Sequence, residues 1–140
     1  MPTPVRAVTY WDASALLSAL LPDDNSDEAR KHAEASDVRF YSSLAWAETL
    51  AVMARMERQG TLTPEGSNAA YAALTSDRWR PTTISPRWDT VRRLGRSWPL
   101  RGADLWHLAA AKRLQEELPT LRLLSFDRRL LSAAHGEGLA

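Results

Sequence analysis

The sequence contains no cysteine, and its three histidines, His32, His107 and His135, form no ligand pair at helical spacing. Disulfides, thiolate nucleophiles and zinc sites built on sulfur are therefore excluded. Lysine is also scarce, with only Lys31 and Lys112. Any metal ion that this chain binds has to be held mainly by oxygen ligands.

Long uncharged apolar runs are missing too. A membrane span needs roughly 18 uncharged residues, and the longest candidate, residues 7–21, is interrupted by Asp12 and Ser14. The amino terminus carries a single Arg6 and lacks the cleavage site of a signal peptide. We therefore expect a cytoplasmic protein whose 140 residues, 1–140, form one domain.

Short β-rich apolar runs alternate with longer stretches of helical period. Such alternation is typical of an α/β domain in which helices flank a central, mainly parallel sheet. The pattern predicts strands at residues 5–11, 38–41, 82–85 and 121–125. Each predicted strand is followed by a helix signal, such as Ser42 and Ser43 as N-caps or Thr63 before Pro64.

Four acidic residues lie where this scaffold would bring side chains together. Asp12 follows the first predicted strand, Asp127 follows the fourth, Glu48 lies about one turn into the helix after the second, and Asp104 begins the helix before the fourth. Because parallel strands share a carboxyl edge and the returning helices begin there, these positions are expected to converge.

Clustered carboxylates repel one another, and partial burial raises their pKa values, so such a cluster favours a compensating cation. Mg²⁺ and Mn²⁺ take oxygen ligands and retain waters, which suits phosphodiester hydrolysis. The alternative is that Asp12, Asp104 and Asp127 simply cap helices, since Asp is favoured at helix starts. Capping does not explain Glu48, which lies inside its helix among apolar residues.

The sequence resembles the PIN domains, and specifically the VapC-type toxins of type II toxin–antitoxin systems. The resemblance covers nearly the whole chain and is carried by four local patterns in order: YWDASALL at 10–17, SLAWAET at 43–49, RGADLWHLA at 101–109 and LSFDRRL at 124–130. It implies a PIN-like three-layer α/β/α fold with a sheet of four to five strands, the last of them short or missing in this chain.

The resemblance also implies an activity. Proteins of this kind are Mg²⁺-dependent endoribonucleases, with Mn²⁺ as an alternative, that cleave single-stranded regions of RNA with a metal-activated water and leave a 5′-phosphate. It implies a homodimer and a cognate antitoxin whose carboxyl-terminal segment enters the active-site groove. Asp12, Glu48, Asp104 and Asp127 fall on the family's acidic quartet, as catalytic residues and metal ligands, and Ser14 and Ser125 match supporting hydroxyl positions.

Other residues near the acids could contribute. Arg101, Arg128 and Arg129 flank them at helix starts and could bind phosphates, or be ordinary solvated arginines. His107 lies three residues after Asp104, so it could be a hydrogen-bond partner near the site or a structural histidine. The formal net charge of +1 leaves a modestly basic exterior if the acids are sequestered, which is compatible with a polyanion.

Two other classes of function stay open from the residues alone. The chain could be a non-catalytic PIN-like module that binds RNA or protein, with its acids acting as caps. It could also be a phosphatase or a receiver domain, but Ser14 stands where a haloacid-type phosphatase needs a second Asp, and neither lysine is placed as a receiver requires.

Overall fold

The computed structural model describes residues 7–140, which form four strands and seven helices. The strands are β1 (Val8–Trp11), β2 (Val38–Ser42), β3 (Arg80–Thr82) and β4 (Arg122–Leu124). The helices are α1 (Ala13–Leu20), α2 (Ser26–Ala35), α3 (Ser43–Arg58), α4 (Pro64–Leu74), α5 (Trp88–Ser97), α6 (Gly102–Glu117) and α7 (Arg128–Gly136).

The strands form one sheet in the order β3-β2-β1-β4, and every neighbouring pair is parallel. The two central strands contain β-branched and aromatic residues, which suit a buried sheet. All four strands therefore end at the same edge, as a parallel sheet requires.

Two apolar cores lie on opposite faces of the sheet, because successive side chains of a strand alternate between faces. Tyr10 belongs to the core packed by α5, α6 and α7, whereas its neighbour Trp11 belongs to the core packed by α1 to α4. Both side chains are fully buried. The predicted three-layer α/β/α arrangement is confirmed.

The observed strands agree with three of the four predictions. The predicted β1 began at residue 5, and residues 5 and 6 lie outside the part of the chain that the structure describes. The predicted strand at 82–85 is wrong in position, since β3 spans Arg80–Thr82 and the following residues are irregular. Pro81 lies within β3, opposite Tyr41. Proline has no N–H to donate, so it is tolerated on an edge strand, where its nitrogen can face away from the neighbouring strand.

Caps and turns set the helix boundaries. Ser42 accepts a hydrogen bond from the Ala45 N–H at the start of α3, as predicted, and Thr63 does the same for Gly66 in α4. After α3, Gly60 adopts a φ of +74°, which favours glycine and turns the chain.

The carboxyl-terminal residues lie along the outer side of β4. The Leu139 carbonyl accepts a hydrogen bond from the Leu123 N–H at 2.7 Å, and the Leu139 side chain is fully buried. The segment after α7 thus makes one strand-like contact with β4, and no fifth strand forms within residues 7–140. None of the helices in this range is long and apolar enough to cross a membrane.

Candidate active site

Asp12 lies at the carboxyl end of β1, where its N–H is hydrogen-bonded to the Leu124 carbonyl of β4. Its Oδ1 accepts hydrogen bonds from the Ala15 N–H at 2.9 Å and the Ser14 hydroxyl at 2.7 Å, and its Oδ2 accepts one from the Ser125 hydroxyl at 2.6 Å. Asp12 therefore caps α1, as the capping alternative predicted. Capping needs only the hydrogen bond from the Ala15 N–H, so the contacts with the Ser14 and Ser125 hydroxyls are additional.

The Asp12 side chain is only 3 % exposed. Burial raises the pKa of this carboxyl above its ordinary value, while the hydrogen bonds from Ser125, Ala15 and Ser14 act in the opposite direction. Three donors to one buried carboxyl group stabilise its charged form. Asp12 is thus a buried carboxyl group in a fixed orientation.

The two serines connect Asp12 to the segment that follows β4. Ser14 accepts a hydrogen bond from the Phe126 N–H at 3.1 Å, and Ser125 accepts one from the Asp127 N–H at 3.0 Å. Each hydroxyl therefore donates to Asp12 and accepts from the β4–α7 connection. The predicted supporting residues lie beside Asp12, as expected from the sequence.

Asp104 and Asp127 occupy two helix starts at the same sheet edge. Asp127 is exposed and caps α7, accepting hydrogen bonds from the N–H groups of Arg129 and Leu130 at 2.9 and 3.0 Å. Asp104 is partly buried in the first turn of α6. Burial raises the pKa of Asp104, and repulsion from Asp127, Asp12 and Glu48 raises it further.

Glu48 is connected to the rest of the site through a histidine. Its Oε1 lies 2.7 Å from Nε2 of His107, and Nδ1 of His107 lies 2.6 Å from the Tyr10 hydroxyl. His107 is only 1 % exposed, whereas the Glu48 side chain is about one-third exposed, at 33 %. His107 is therefore a buried histidine with both nitrogens occupied, and it is also a direct partner of a predicted site acid.

The four acids fit a hard cation in chemistry and charge. All their donors are oxygens. Negative charge on Asp127, Asp12 and Glu48 also raises the pKa of Asp104 beyond what its burial does. The side chains do not form a closed ligand set, since no group of three His, Asp or Glu within residues 7–140 is close enough to hold an ion. Waters would have to complete the coordination of any ion bound here.

Three arginines lie beside Asp104 and Asp127. Arg101, Arg128 and Arg129 line a cleft of about 290 Å³ together with Asp104 and Asp127. The three arginine side chains are exposed, and none of them makes an ion pair with any carboxylate in the described range 7–140. Positive charge that is not neutralised by neighbouring acids is available to an anionic ligand.

Tyr10 was not identified as a site residue from the sequence. Its only local signal is its place in β1 two residues before Asp12, which directly follows that strand. Its partner His107 is 97 residues away, so the pairing depends on tertiary structure. Burial raises the pKa of Tyr10, which keeps the hydroxyl protonated and able to donate.

Comparison with known proteins identifies the family. The family model described as the PIN domain matches residues 9–136. The chain therefore belongs to the PIN-domain family.

Two curated relatives specify the branch of that family. Ribonuclease VapC45 of Mycobacterium tuberculosis, strain CDC 1551 / Oshkosh, is 33 % identical over 135 residues, covering 94 % of this chain and 92 % of the relative. Ribonuclease VapC49 of strain H37Rv of the same species gives the same values, 33 %, 135 residues, 94 % and 92 %. The resemblance to VapC-type proteins inferred from the four sequence patterns is confirmed.

Solved structures agree on the fold. VapC20 of Mycobacterium tuberculosis, described as a sarcin–ricin loop cleaving toxin, superposes with a TM-score of 0.60 at 15 % identity, covering 89 % of this chain and 94 % of that one. PAE2754 from Pyrobaculum aerophilum gives a TM-score of 0.64 at 22 % identity, covering 91 % and 79 %. The predicted PIN-like fold is confirmed.

Proposed function

We propose that the protein is an endoribonuclease toxin that hydrolyses single-stranded regions of RNA with the help of Mg²⁺ or Mn²⁺. The observation that carries the proposal is the buried Asp12 carboxylate, oriented by Ser14 and Ser125 and sharing a negative field with Asp104. The family and the ribonuclease relatives support the same conclusion.

Asp12, Asp104 and Glu48 would hold the ion, directly or through water, and Asp127 would complete its surroundings or serve a second ion. When bound, the ion supplies an activated water as nucleophile and neutralises charge on the phosphoryl group. Ser14 and Ser125 orient the Asp12 carboxylate. Outer hydrogen bonds of this kind fix the direction of a ligand and tune it.

The arginine cleft would bind the substrate. Arg101, Arg128 and Arg129 place unpaired guanidinium groups beside Asp104 and Asp127, so a phosphate could be held next to the acids. Backbone contacts position a nucleic acid without reading its sequence. No protein nucleophile is required, and attack by water with the 3′ oxygen as leaving group would leave a 3′-hydroxyl and a 5′-phosphate.

The proposed setting follows from this activity. We place the enzyme in the cytoplasm with its RNA substrate, as a homodimer built from one such domain per chain. The VapC relatives support a cognate antitoxin as a partner that neutralises the enzyme. The exposed arginines would attract an acidic carboxyl-terminal segment of the antitoxin into the cleft.

The test is cleavage of total cellular RNA by protein freed of any partner, in Mg²⁺, Mn²⁺ or EDTA. We expect discrete cleavage that requires metal and disappears in Asp12→Asn and Asp104→Asn, both checked for folding. The matched control is Asp24→Asn, an exposed acid in the turn after α1, which should cleave like wild type.

The second candidate is a non-catalytic PIN-like module that binds RNA or protein. The observation in its favour is that Asp12 and Asp127 both cap helices. This candidate predicts no calorimetric Mg²⁺ or Mn²⁺ binding and intact RNA in every condition above. Metal-dependent cleavage that Asp12→Asn abolishes would exclude it.

A further inference from the structure

Tyr10, His107 and Glu48 form a continuous hydrogen-bonded chain from the core to the site. The chain connects β1, α6 and α3, and each contact is 2.6 or 2.7 Å long. Tyr10 and His107 are buried, and only Glu48 reaches solvent. Among the four acids, Glu48 is the one whose position helix capping could not explain. Its hydrogen bond to His107 gives that position a physical cause.

The protonation pattern of the chain follows from donor and acceptor chemistry. An ionised carboxylate can only accept hydrogen bonds, so the contact with Glu48 requires a proton on Nε2 of His107. In the neutral ring Nδ1 then accepts from the Tyr10 hydroxyl, which donates. The Glu48 carboxylate thereby selects the tautomer of His107, and the Tyr10 hydroxyl stabilises it by donating to Nδ1.

The geometry also leaves part of Glu48 free. His107 occupies Oε1, and no other side chain in the described residues hydrogen-bonds to Oε2. The imidazole itself is confined, because Trp106 packs edge-on against it at 5.7 Å and the Tyr10 ring lies at 5.8 Å. With both nitrogens hydrogen-bonded and aromatic rings on two sides, the imidazole favours one orientation of the Glu48 carboxylate.

We propose that His107 is a positioning residue that aims the free oxygen of Glu48 at the acidic site, with Tyr10 stabilising the tautomer of His107 that donates to Glu48. This inference rests on the proposed function, in which Glu48 helps to hold the metal ion. His107 is buried, and within residues 7–140 Glu48 is the one site acid with which it makes a hydrogen bond, so its effect on the site would pass through Glu48.

Two substitutions separate positioning from packing. His107→Gln places an amide N–H near the Nε2 position and retains a donor to Glu48, whereas His107→Asn ends too far from Glu48 to donate. We expect His107→Asn to lower kcat about 10- to 100-fold with little change in KM for RNA, and to weaken Mn²⁺ binding measured by calorimetry. His107→Gln should retain most of the wild-type kcat and Mn²⁺ affinity. Tyr10→Phe should lose less of each than His107→Asn does.

The decisive measurement is a double-mutant cycle with Glu48→Gln, using kcat and Mn²⁺ affinity as the two readouts. If His107 acts through Glu48, adding His107→Asn to Glu48→Gln causes no further loss. Additive losses, or equal losses in His107→Gln and His107→Asn that follow their melting temperatures, would overturn the inference while leaving the nuclease in place. Metal-independent cleavage that survives in Asp12→Asn would instead overturn the proposed function, and this inference with it.

Discussion

The Ser125 hydroxyl donates a hydrogen bond of 2.6 Å to Oδ2 of Asp12, although the two residues are 113 positions apart in the chain. The contact joins the end of β4 to the end of β1, two strands that are neighbours in the sheet. The same hydroxyl accepts the Asp127 N–H at 3.0 Å. Ser125 therefore orients one site acid and places the backbone of another.

Ser125→Ala should lower cleavage about 10- to 100-fold, the usual cost of removing a group that orients a metal ligand. Burial already raises the pKa of Asp12, and the Ser125 hydrogen bond opposes that rise. Its loss raises the pKa further, so the acid limb of the pH–rate profile should move to higher pH. Ser132→Ala, at an exposed position on α7, is the matched control and should leave the profile unchanged.

Asp104→Asn should abolish cleavage and yet stabilise the metal-free protein at pH 7. The pKa of Asp104 is raised by burial and by repulsion from Asp127, Asp12 and Glu48, so its ionised form costs folding free energy. The gain in the free energy of unfolding should be present at pH 7 and shrink as the pH falls through the raised pKa of Asp104. It should vanish below 3.8, the ordinary pKa of an aspartate. Because the group is partly solvated, we expect a rise in Tm of only roughly 1 to 3 °C.

Thermal unfolding in EDTA at pH 7 and at acid pH measures this difference. A lower Tm for Asp104→Asn at pH 7 would contradict the assigned repulsion. Adding Mn²⁺ should raise the Tm of wild type and reverse the order of the two proteins, because an ion that binds only the folded state stabilises it.

Arg128→Ala and Arg129→Ala should each weaken RNA binding to a similar degree across sequences. Both side chains line the cleft beside Asp127 and Asp104. Each lost phosphate contact should reduce the slope of log affinity against log salt concentration by about 0.7 for single-stranded RNA. Binding titrations with an inactive Asp12→Asn background measure the slope without cleavage.

Arg58→Ala is the control for these arginines. Arg58 is exposed at the carboxyl end of α3, whereas the site lies near the amino end of that helix, and the 16 residues of α3 extend about 24 Å. A slope that changes as much in Arg58→Ala as in Arg128→Ala would show that the basic surface acts as a whole and not through the cleft.

Gly136→Ala should destabilise the fold by about 1 to 3 kcal/mol. A Cβ at this position would overlap the indole ring of Trp98, and that ring is held by a hydrogen bond of 3.0 Å from Nε1 to Glu137. Gly102→Ala, at the first residue of α6, has nothing within 4 Å of the added carbon and should be nearly neutral. Urea unfolding of both variants measures the difference, and similar midpoints would mean that the indole moves freely.

Much of the fold could be predicted from the sequence because its signals are local. Apolar runs located β1, β2 and β4, and capping residues such as Ser42 and Thr63 located helix starts. β3 was misplaced because a three-residue edge strand carries little pattern of its own, and its position depends on pairing with β2. Ile84, which lies inside the predicted strand, packs against a core without being in a strand.

The candidate site was predictable to the extent that it follows from topology. Parallel strands bring Asp12 and Asp127 to one edge, and the helices after β2 and before β4 bring Glu48 and Asp104 there. The contact between His107 and Glu48 joins residues 59 positions apart, and no local pattern specifies it. The metal-ligand role of the acids stays a prediction for the experiments above.

The short edge strand β3 has a consequence for association between chains. An exposed strand edge can accept a strand from another molecule, but Pro81 at the centre of β3 has no N–H to contribute to such a ladder. A partner peptide therefore gains little by extending the sheet on this side. An inhibitor that binds on this side would have to do so through side chains and helix ends, so changes in its sequence would alter recognition in a way that backbone pairing would not.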